Sequence, residues 1–556
     1  LELTTEQENV LGINLSDSDK NIVIVKALAG TGKTTTLLEM VKKHPELNFC
    51  YLSFNKAIKE EIQKKKDKES IPNLTASTMH GLAYKNVLSK FGYPSIQNFT
   101  VDNIQNMFPN EYSLQPWMIY KTIMLFNKYC NQVLKFEDYK KVVMKMTPQE
   151  LSFIGFTEKN LNLFYTCFGY VEKIYNKMIN RQSSFITHNF YLKYFMDNIN
   201  EFNFSEFDVF LFDEAQDLNE PMAIFVKEIV KKKLPIILVG DIHQSIYGFI
   251  KSIDVMSLLE EQLGNRVSSH SLTNSFRFKK DSEIQDLCNV LLKFREEKIT
   301  GRAIFEDESI KEKAYLSRAN KPVFQKCLDF IEMGEDFDLI GGIESFDLKT
   351  ISDIYYLMVC NYKNIKNKYI SSFDSIELFI DEIVANEDIT LLSNLAISGI
   401  CKEKGKSPSN MFSYISEHIN KRSLNKVGTI HKTKGLGFDH VELMEGGHCR
   451  PILGLTDEQE IDVKIEDKVY RVLTLADKSN LYEEINILYV GLSRAKKKID
   501  ISNPMFRETL SFITNILDDN LTQSDSNKDY VLLDNGFAVS KRTLNIWINK
   551  VKGVNK

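Results

Sequence analysis

None of the eight cysteines belongs to a CxxC pair. Cys50, Cys130, Cys167, Cys288, Cys327, Cys360, Cys401 and Cys449 stand singly, so a zinc ribbon or iron–sulfur site has no support. Thiols scattered in this way predict buried, free cysteines in a reducing compartment. No apolar run approaches the ~20 residues that cross a bilayer, and the polar opening LELTTEQENV lacks the anatomy of a secretory signal. An intracellular protein with no membrane partner is expected: in bacterial cytoplasm or nucleoid, in the host cell of a virus or phage, or in a eukaryotic nucleus. An initiator Met is also missing, so a few residues are expected to be absent or processed. Charge of one sign is not in excess: 70 Lys plus Arg face 75 Asp plus Glu, a net charge of −5. That balance neither demands nor excludes nucleic acid, because a basic groove can sit on an acidic body. No fixed-period repeat points to a solenoid.

What is present fits a folded, multidomain α/β protein. The 556 residues exceed one core, 43% are hydrophobic and 26% are charged, so two to four domains are expected. Short β-rich runs at 22–26, 49–54, 208–212 and 235–240 end in polar loops and alternate with helical patterns. Between the second and third lies a long aromatic stretch of helical periodicity. A second α/β pattern follows 271, with AYLSRAN and FDLIGGIESF. It gives way to a polar helical segment and then to strand-like KVGTIH, HVELMEG and INILYVGLSRA (485–495). The chain is therefore divided into a first core (1–80 and 205–270) with a helical insertion (81–204). A second core (271–346 and 425–514) holds a small insertion (347–424), and 515–556 forms a loosely held appendix.

The chemistry begins at ALAGTGKTTTL, residues 27–37. A strand, a glycine turn and a helix start would aim several backbone N–H groups at one anion. Gly30 and Gly32 permit close approach around Ala29 and Thr31, Lys33 reaches the β- and γ-phosphates, and Thr34 offers a hydroxyl to Mg²⁺. In DVFLFDEAQD (208–217), a strand delivers Asp213 to hold the metal and Glu214 to polarise the attacking water. In ILVGDIHQSIYGF (237–249), Gln244 stands where it can contact the terminal phosphate. Tyr247 and Phe249 follow as stacking platforms for bases, or as ordinary core aromatics. Arg277 and Arg494 stand where they could supply the positive charge that phosphoryl transfer needs on the γ-phosphate, although a single Arg is usually a surface residue and these two carry weight only through the pattern around them.

These segments, in this order, resemble superfamily 1 helicases of the UvrD/Rep/PcrA type, from about residue 3 to 500. LTTEQENVL (3–11) is similar to the family's glutamine motif, and the cradle is similar to its A-x-x-G-[ST]-G-K-[ST], which itself starts with Ala. YLSFNKAIKEEI, TASTMHGLAY, FDEAQD, GDIHQSIYGF, SFRF, GTIHKTKGLGFDHV and EEINILYVGLSRAK resemble the further motifs. The wording of YLSFNKA, LTNSFRF and EEINILYVGLSRAK looks closest to F-box DNA helicases and their relatives.

The resemblance implies two RecA-like parallel-sheet P-loop domains with helical accessory insertions. It implies ATP and Mg²⁺ as cofactors, with single-stranded DNA and single/double-strand junctions as partners, and leaves room for protein partners the motifs do not identify. Gln7 would read adenine and Phe276 would stack on it, beside Thr35. Lys33, Asp213, Glu214, Gln244, Arg277 and Arg494 would carry catalysis, with Thr34 and Asp213 on the metal. Phe54, Asn55, His80, Tyr247, Phe249 and His431 would line the DNA path.

Four positions depart from the family's pattern. Thr35 replaces a common Arg, and Gly437 a sugar-contacting Glu. Ile250-Lys251 replaces Arg-Gly, and Ile485-Asn486 a paired Arg. The expected activity is 3′ to 5′ translocation on single-stranded DNA with unwinding. The alternative is a nucleotide-gated DNA clamp or assembly subunit whose ATPase does not unwind. A nuclease fusion lacks a carboxylate–lysine cluster after 500, and a small-molecule kinase would not explain the later motifs.

Overall fold

The computed structural model describes residues 2–15, 21–53, 56–91, 95–109, 111, 115–131, 134–146, 151, 156, 161–218, 220–246, 254–292, 297–385, 389–444, 453–454, 462–465, 468–475, 478–501, 530–532 and 537–540. Two parallel sheets organise it. The first joins β1 (Ile22–Ala27), β2 (Phe49–Ser53), β3 (Leu74–Thr78), β4 (Val209–Phe212), β5 (Ile236–Gly240) and β6 (Val267–Leu272) in the order β3-β2-β4-β5-β1-β6. The runs expected as strands are strands, and the reason is visible in β1. Ile22 and Ile24 point into one apolar cluster with Phe210, Phe212 and Leu238. Val23 and Val25 point into another with Val209, Leu211 and Val239. A period of two with both faces apolar is what a parallel sheet covered on both sides requires.

The cluster on the Ile22 face continues into the helices between β3 and β4, from Met79–Phe91 to His188–Asp197. The aromatics of that stretch therefore pack onto the sheet. Tyr129 and Phe136 stack at 4.5 Å, and Phe164 and Phe168 at 5.5 Å.

After a short pair, β7 (Asn274–Ser275) with β8 (Thr300–Gly301), comes the second sheet. It is built from β9 (Lys313–Ser317), β10 (Asp338–Leu339), β11 (Asn425–Thr429), β12 (Phe438–Leu443) and β16 (Ala495–Ile501), all parallel, in the order β10-β11-β9-β12-β16. Helices Leu348–Met358, Ile376–Ala385, Ile389–Glu403 and Pro408–Glu417 lie between β10 and β11. The two helical insertions touch. Tyr120 stacks on Tyr369 with centroids 4.2 Å apart, and Lys368 pairs with Asp102 and donates to Gln105 at 2.7 Å.

Three expectations are corrected. The stretch 485–495 is strand-like in composition, but Lys478–Leu492 is a helix and only Ala495 starts a strand. Ile485, Ile487, Leu488, Tyr489, Val490 and Leu492 are all at most 3% exposed. From 485 to 492 this helix is buried all round, and an apolar run buried on every side has no helical stripe to read. The tail is not wholly loose: β17 (Tyr530–Leu532) and β18 (Phe537–Ser540) join a third sheet with β13 (Leu453–Gly454), β14 (Asp462–Ile465) and β15 (Lys468–Leu475). Of the cysteines, Cys360 is exposed; Cys50, Cys130, Cys167, Cys288, Cys327 and Cys401 are buried and free as expected, and Cys449 lies outside the described residues.

Candidate nucleotide site between the two sheets

The ends of β1, β4 and β5 face the second sheet, and the chemistry gathers there. Beyond β1 the chain turns through Gly30 and Gly32, both at positive φ (73° and 83°). A Cβ on Gly30 would stand 2.7 Å from Ser275 Oγ and 2.8 Å from Arg277 Cβ, so only glycine fits. Helix Lys33–Lys43 then starts with Gly32 at its N-cap, with no side-chain cap and no acidic residue in its first turn. Its leading N–H groups stay available to an anion, favoured by the helix dipole.

Around this cradle stand the acids. Asp213, at the end of β4, accepts hydrogen bonds from the Tyr51 hydroxyl, from Thr34 Oγ1 at 3.2 Å and from the Glu214 N–H at 2.9 Å. The hydroxyl of Thr34 and the carboxylate of Asp213 are two hard oxygen donors side by side, the donor set that suits Mg²⁺. Burial raises the Asp213 pKa, and the charge of Glu214 adds to it. Glu214 sits at φ 54°, a left-handed conformation that costs a non-glycine residue about 1–3 kcal/mol and clusters at functional sites. Its Oε2 lies 3.4 Å from Lys33 Nζ, 3.8 Å from Lys434 Nζ and 2.6 Å from Gln216 Nε2. Burial pushes the Glu214 pKa up, but the charges of Lys33 and Lys434 and the hydrogen bonds from Gln216 and Lys33 outweigh it and hold it at about 2.

The other sheet contributes cations. Arg494 is 1% exposed. It donates to the carbonyls of Val490 (3.0 Å) and Leu436 (3.1 Å), to Ser493 Oγ (3.1 Å) and to Gln244 Oε1 (3.1 Å). All these acceptors are neutral. Burial, then the charge of Arg277, lowers its pKa to about 9, so it stays protonated at neutral pH. Gln244 is held in turn by Asp241 Oδ2 at 2.7 Å. Arg277 donates to the Ser493 carbonyl at 2.8 Å. A buried guanidinium with neutral partners, next to a second one, favours an anionic ligand such as a terminal phosphate.

Several residues of this junction are given no role by the sequence. Tyr489, on the buried helix, accepts from the Ala29 N–H at 3.1 Å and so ties the cradle to the second sheet. Asn486, in the place of a paired Arg, donates to the carbonyls of Ile242 and Ser245 (3.2 and 2.8 Å). Gln216 accepts from the Asp241 N–H at 2.9 Å while donating to Glu214, linking two strand ends. Lys434 donates to the Gln244 carbonyl at 2.8 Å and pairs with Asp217. Gln216 and Asp217 stand inside the quoted FDEAQD, which is the only signal they gave.

Asp217 is buried, with Oδ1 lacking a hydrogen-bond partner. Burial raises its pKa to about 6, against the pull of Lys434. Its folded pKa therefore exceeds the unfolded value near 3.8. The stability it contributes is fully present below that value and lost as pH rises through 6. Lowering the pH from 7 to 5 is expected to stabilise the wild type relative to Asp217→Asn by about 1 kcal/mol. Paired thermal melts check this; a difference that does not move with pH contradicts it.

At the Gly32 end of the cradle Gln7 and Phe276 come together, the residues expected at the base. Gln7 accepts from the Thr4 N–H and donates to Thr36 Oγ1, both at 3.0 Å. Thr31 donates to the Leu28 carbonyl at 2.8 Å. Phe276, 40% exposed, has its ring edge 3.6 Å from where a Gly32 Cβ would be. Thr35 borders a cavity of about 450 Å³ shared with Leu3, Leu38 and Lys42. The glycine at 437 has a local cause: a Cβ there would lie 3.2 Å from Arg277 Nε and 3.3 Å from Lys496 Cε.

Of the residues expected on DNA, His80 and His431 are described. His80 packs in an aromatic cluster with His188 and Tyr191 (6.3 and 6.1 Å), and burial with the His188 charge lowers its pKa to about 4. Burial and the Arg318 charge do the same for His431. Both are neutral at physiological pH. Phe54, Asn55, Tyr247, Phe249, Ile250 and Lys251 lie outside the described residues.

Two parallel sheets, with a glycine cradle and an Asp-Glu pair at the strand ends of the first and Arg494 just before the last strand of the second, are the architecture of two RecA-like domains. Residues 4–263 match the family described as the UvrD/REP helicase N-terminal domain. The chain carries that domain and is a distant homologue of F-box DNA helicase 1. It is 26% identical over 565 residues to F-box DNA helicase protein 1 of Schizosaccharomyces pombe, covering 90% of this chain and 57% of that one. It is 26% identical over 545 residues to F-box DNA helicase 1 of Gallus gallus, covering 91% and 49%. The chain thus spans about half the length of these curated relatives. Among the described residues no helix is long and apolar enough to cross a membrane.

Proposed function

We propose that the chain is an ATP-dependent translocase and helicase on single-stranded DNA, moving 3′ to 5′. The observation that carries this reading is the Arg494–Gln244 hydrogen bond at 3.1 Å. It joins a buried cation of one domain to the strand-end loop of the other, beside Glu214. In a Michaelis complex Lys33, Arg277 and Arg494 neutralise the γ-phosphate, and Glu214 orients the attacking water and takes its proton. Thr34 and Asp213 would hold Mg²⁺, which would supply charge to offset that of the phosphates. Because the arginines and the acids belong to different domains, the site is complete only when the two meet. Hydrolysis and release then become domain motion. Gln7 and Phe276 hold the base.

The DNA residues expected in the sequence, with His80 and His431 among them, would pass the strand along as the domains move. The domain limits given above go with this reading, as does a DNA single/double-strand junction as substrate. Strand separation on a duplex with a 3′ single-stranded tail tests it: ATP-dependent unwinding of that substrate, with little on a 5′-tailed one, is expected. The small size of the 347–424 insertion favours one alternative, a nucleotide-gated clamp. ATP hydrolysis with neither tail unwound would replace the helicase by that clamp.

A further inference from the structure

Phe276 is a large aromatic side chain, 40% exposed, at the mouth of the phosphate cradle, beside Gly32, which the Gln7 amide also approaches. An exposed ring beside a buried polar site calls for a partner. The structure supplies one: the Arg302 guanidinium lies over the ring, 5.0 Å from its centroid. The contact is set by the backbone. β7 and β8 pair Asn274 with Thr300 and Ser275 with Gly301, and the Arg302 N–H donates to the Ser275 carbonyl at 2.8 Å. The pair is parallel, so Phe276 and Arg302 leave the same end of the short ladder side by side. Among the described residues Arg302 forms no ion pair, so the ring, not an acid, fixes its head group. On the far side of the cradle Thr35 is uncharged and borders open space.

We infer that Arg302 is a base-site residue, the cation of a guanidinium–phenyl–purine stack in which Phe276 is the middle layer. This rests on the nucleotide-binding reading above. A guanidinium over a phenyl ring is held by the ring quadrupole and by flat packing. It fixes the plane of Phe276 before the nucleotide arrives and so reduces the ordering that binding would otherwise cost. Arg302 acts on the base through Phe276, which makes it a positioning residue. It has no role at the phosphates, where Lys33, Arg277 and Arg494 stand.

Equilibrium binding of ATP and of inorganic tripolyphosphate, measured on the full chain, tests this. Arg302→Ala is expected to weaken ATP binding about two- to fivefold, in line with an exposed cation–π contact, and to leave tripolyphosphate binding unchanged. Arg302→Lys should recover part of the loss. In a Phe276→Ala background the Arg302→Ala change should have no further effect on ATP. Equal losses for ATP and tripolyphosphate, or independent additive losses from the two alanine changes, would overturn the assignment. So would an Arg302→Ala chain that binds ATP as the wild type does. A wild-type chain that binds tripolyphosphate but gains nothing from the base also overturns it, while one that binds neither removes the nucleotide reading itself.

Discussion

An Arg494→Ala chain is expected to hydrolyse ATP at least about 10³-fold more slowly than the wild type, the scale on which an arginine acting on a transferring phosphoryl group counts. The effect is chemical and structural at once. Arg494 is buried, and its fork satisfies the Val490 and Leu436 carbonyls, Ser493 Oγ and Gln244 Oε1. Truncation leaves those acceptors short of a donor, each costing about 1–3 kcal/mol when no water reaches it. Arg494→Lys separates the two contributions. It keeps one positive charge but loses the fork, and with it the simultaneous contact to Gln244 and the carbonyls. Its turnover is expected to stay within about tenfold of the alanine variant, while its melting temperature returns towards that of the wild type. Melts and steady-state turnover on the three chains check this. A lysine variant with wild-type turnover would mean that charge alone suffices and that the Gln244 contact is incidental.

The site was legible wherever its chemistry sits at the end of a strand. Lys33, Asp213, Glu214 and Gln244 each follow a short apolar run, and a parallel sheet puts the ends of such runs at one edge. Their convergence follows from the order of the motifs. The connections between them were not legible. Tyr51 and Asp213 are 162 residues apart, and Lys434 and Asp217 are 217 apart; nothing local in either residue announces its partner. The helix Lys478–Leu492 was misread because burial on every side removes periodicity, the one cue that separates helix from strand in a short apolar run. Gly437 read as a lost sugar contact. In the fold it lies against Arg277 and Lys496, whose side chains would have to give by a few tenths of an ångström to admit a Cβ. Conversely, Thr35 stands where the family's pattern commonly has Arg, and the cation the structure puts over the Phe276 ring is Arg302, 267 residues downstream of it by number and beyond the reach of any local pattern.

Lys33 carries the largest weight in the account. Its ammonium is 3.4 Å from Glu214 Oε2, and its charge helps to hold the Glu214 carboxylate ionised and opposes the raised pKa of Asp213. With a nucleotide in the cradle the same ammonium reaches the β- and γ-phosphates, so one substitution removes both the phosphate contact and the compensation for two neighbouring acids. A loss of at least about 10²- to 10³-fold in turnover is expected from removing one preorganised donor of this kind. In the proposed reading single-strand binding uses other surfaces, so it is expected to remain measurable, and its persistence would show that the variant is folded. The most direct measurement is therefore ATP turnover by wild type and Lys33→Ala, each with and without a single-stranded oligonucleotide whose binding is measured in parallel. The predicted result is hydrolysis that rises with DNA in the wild type and is abolished in Lys33→Ala while the oligonucleotide still binds. DNA-stimulated hydrolysis that persists in Lys33→Ala would contradict the assignment of this site.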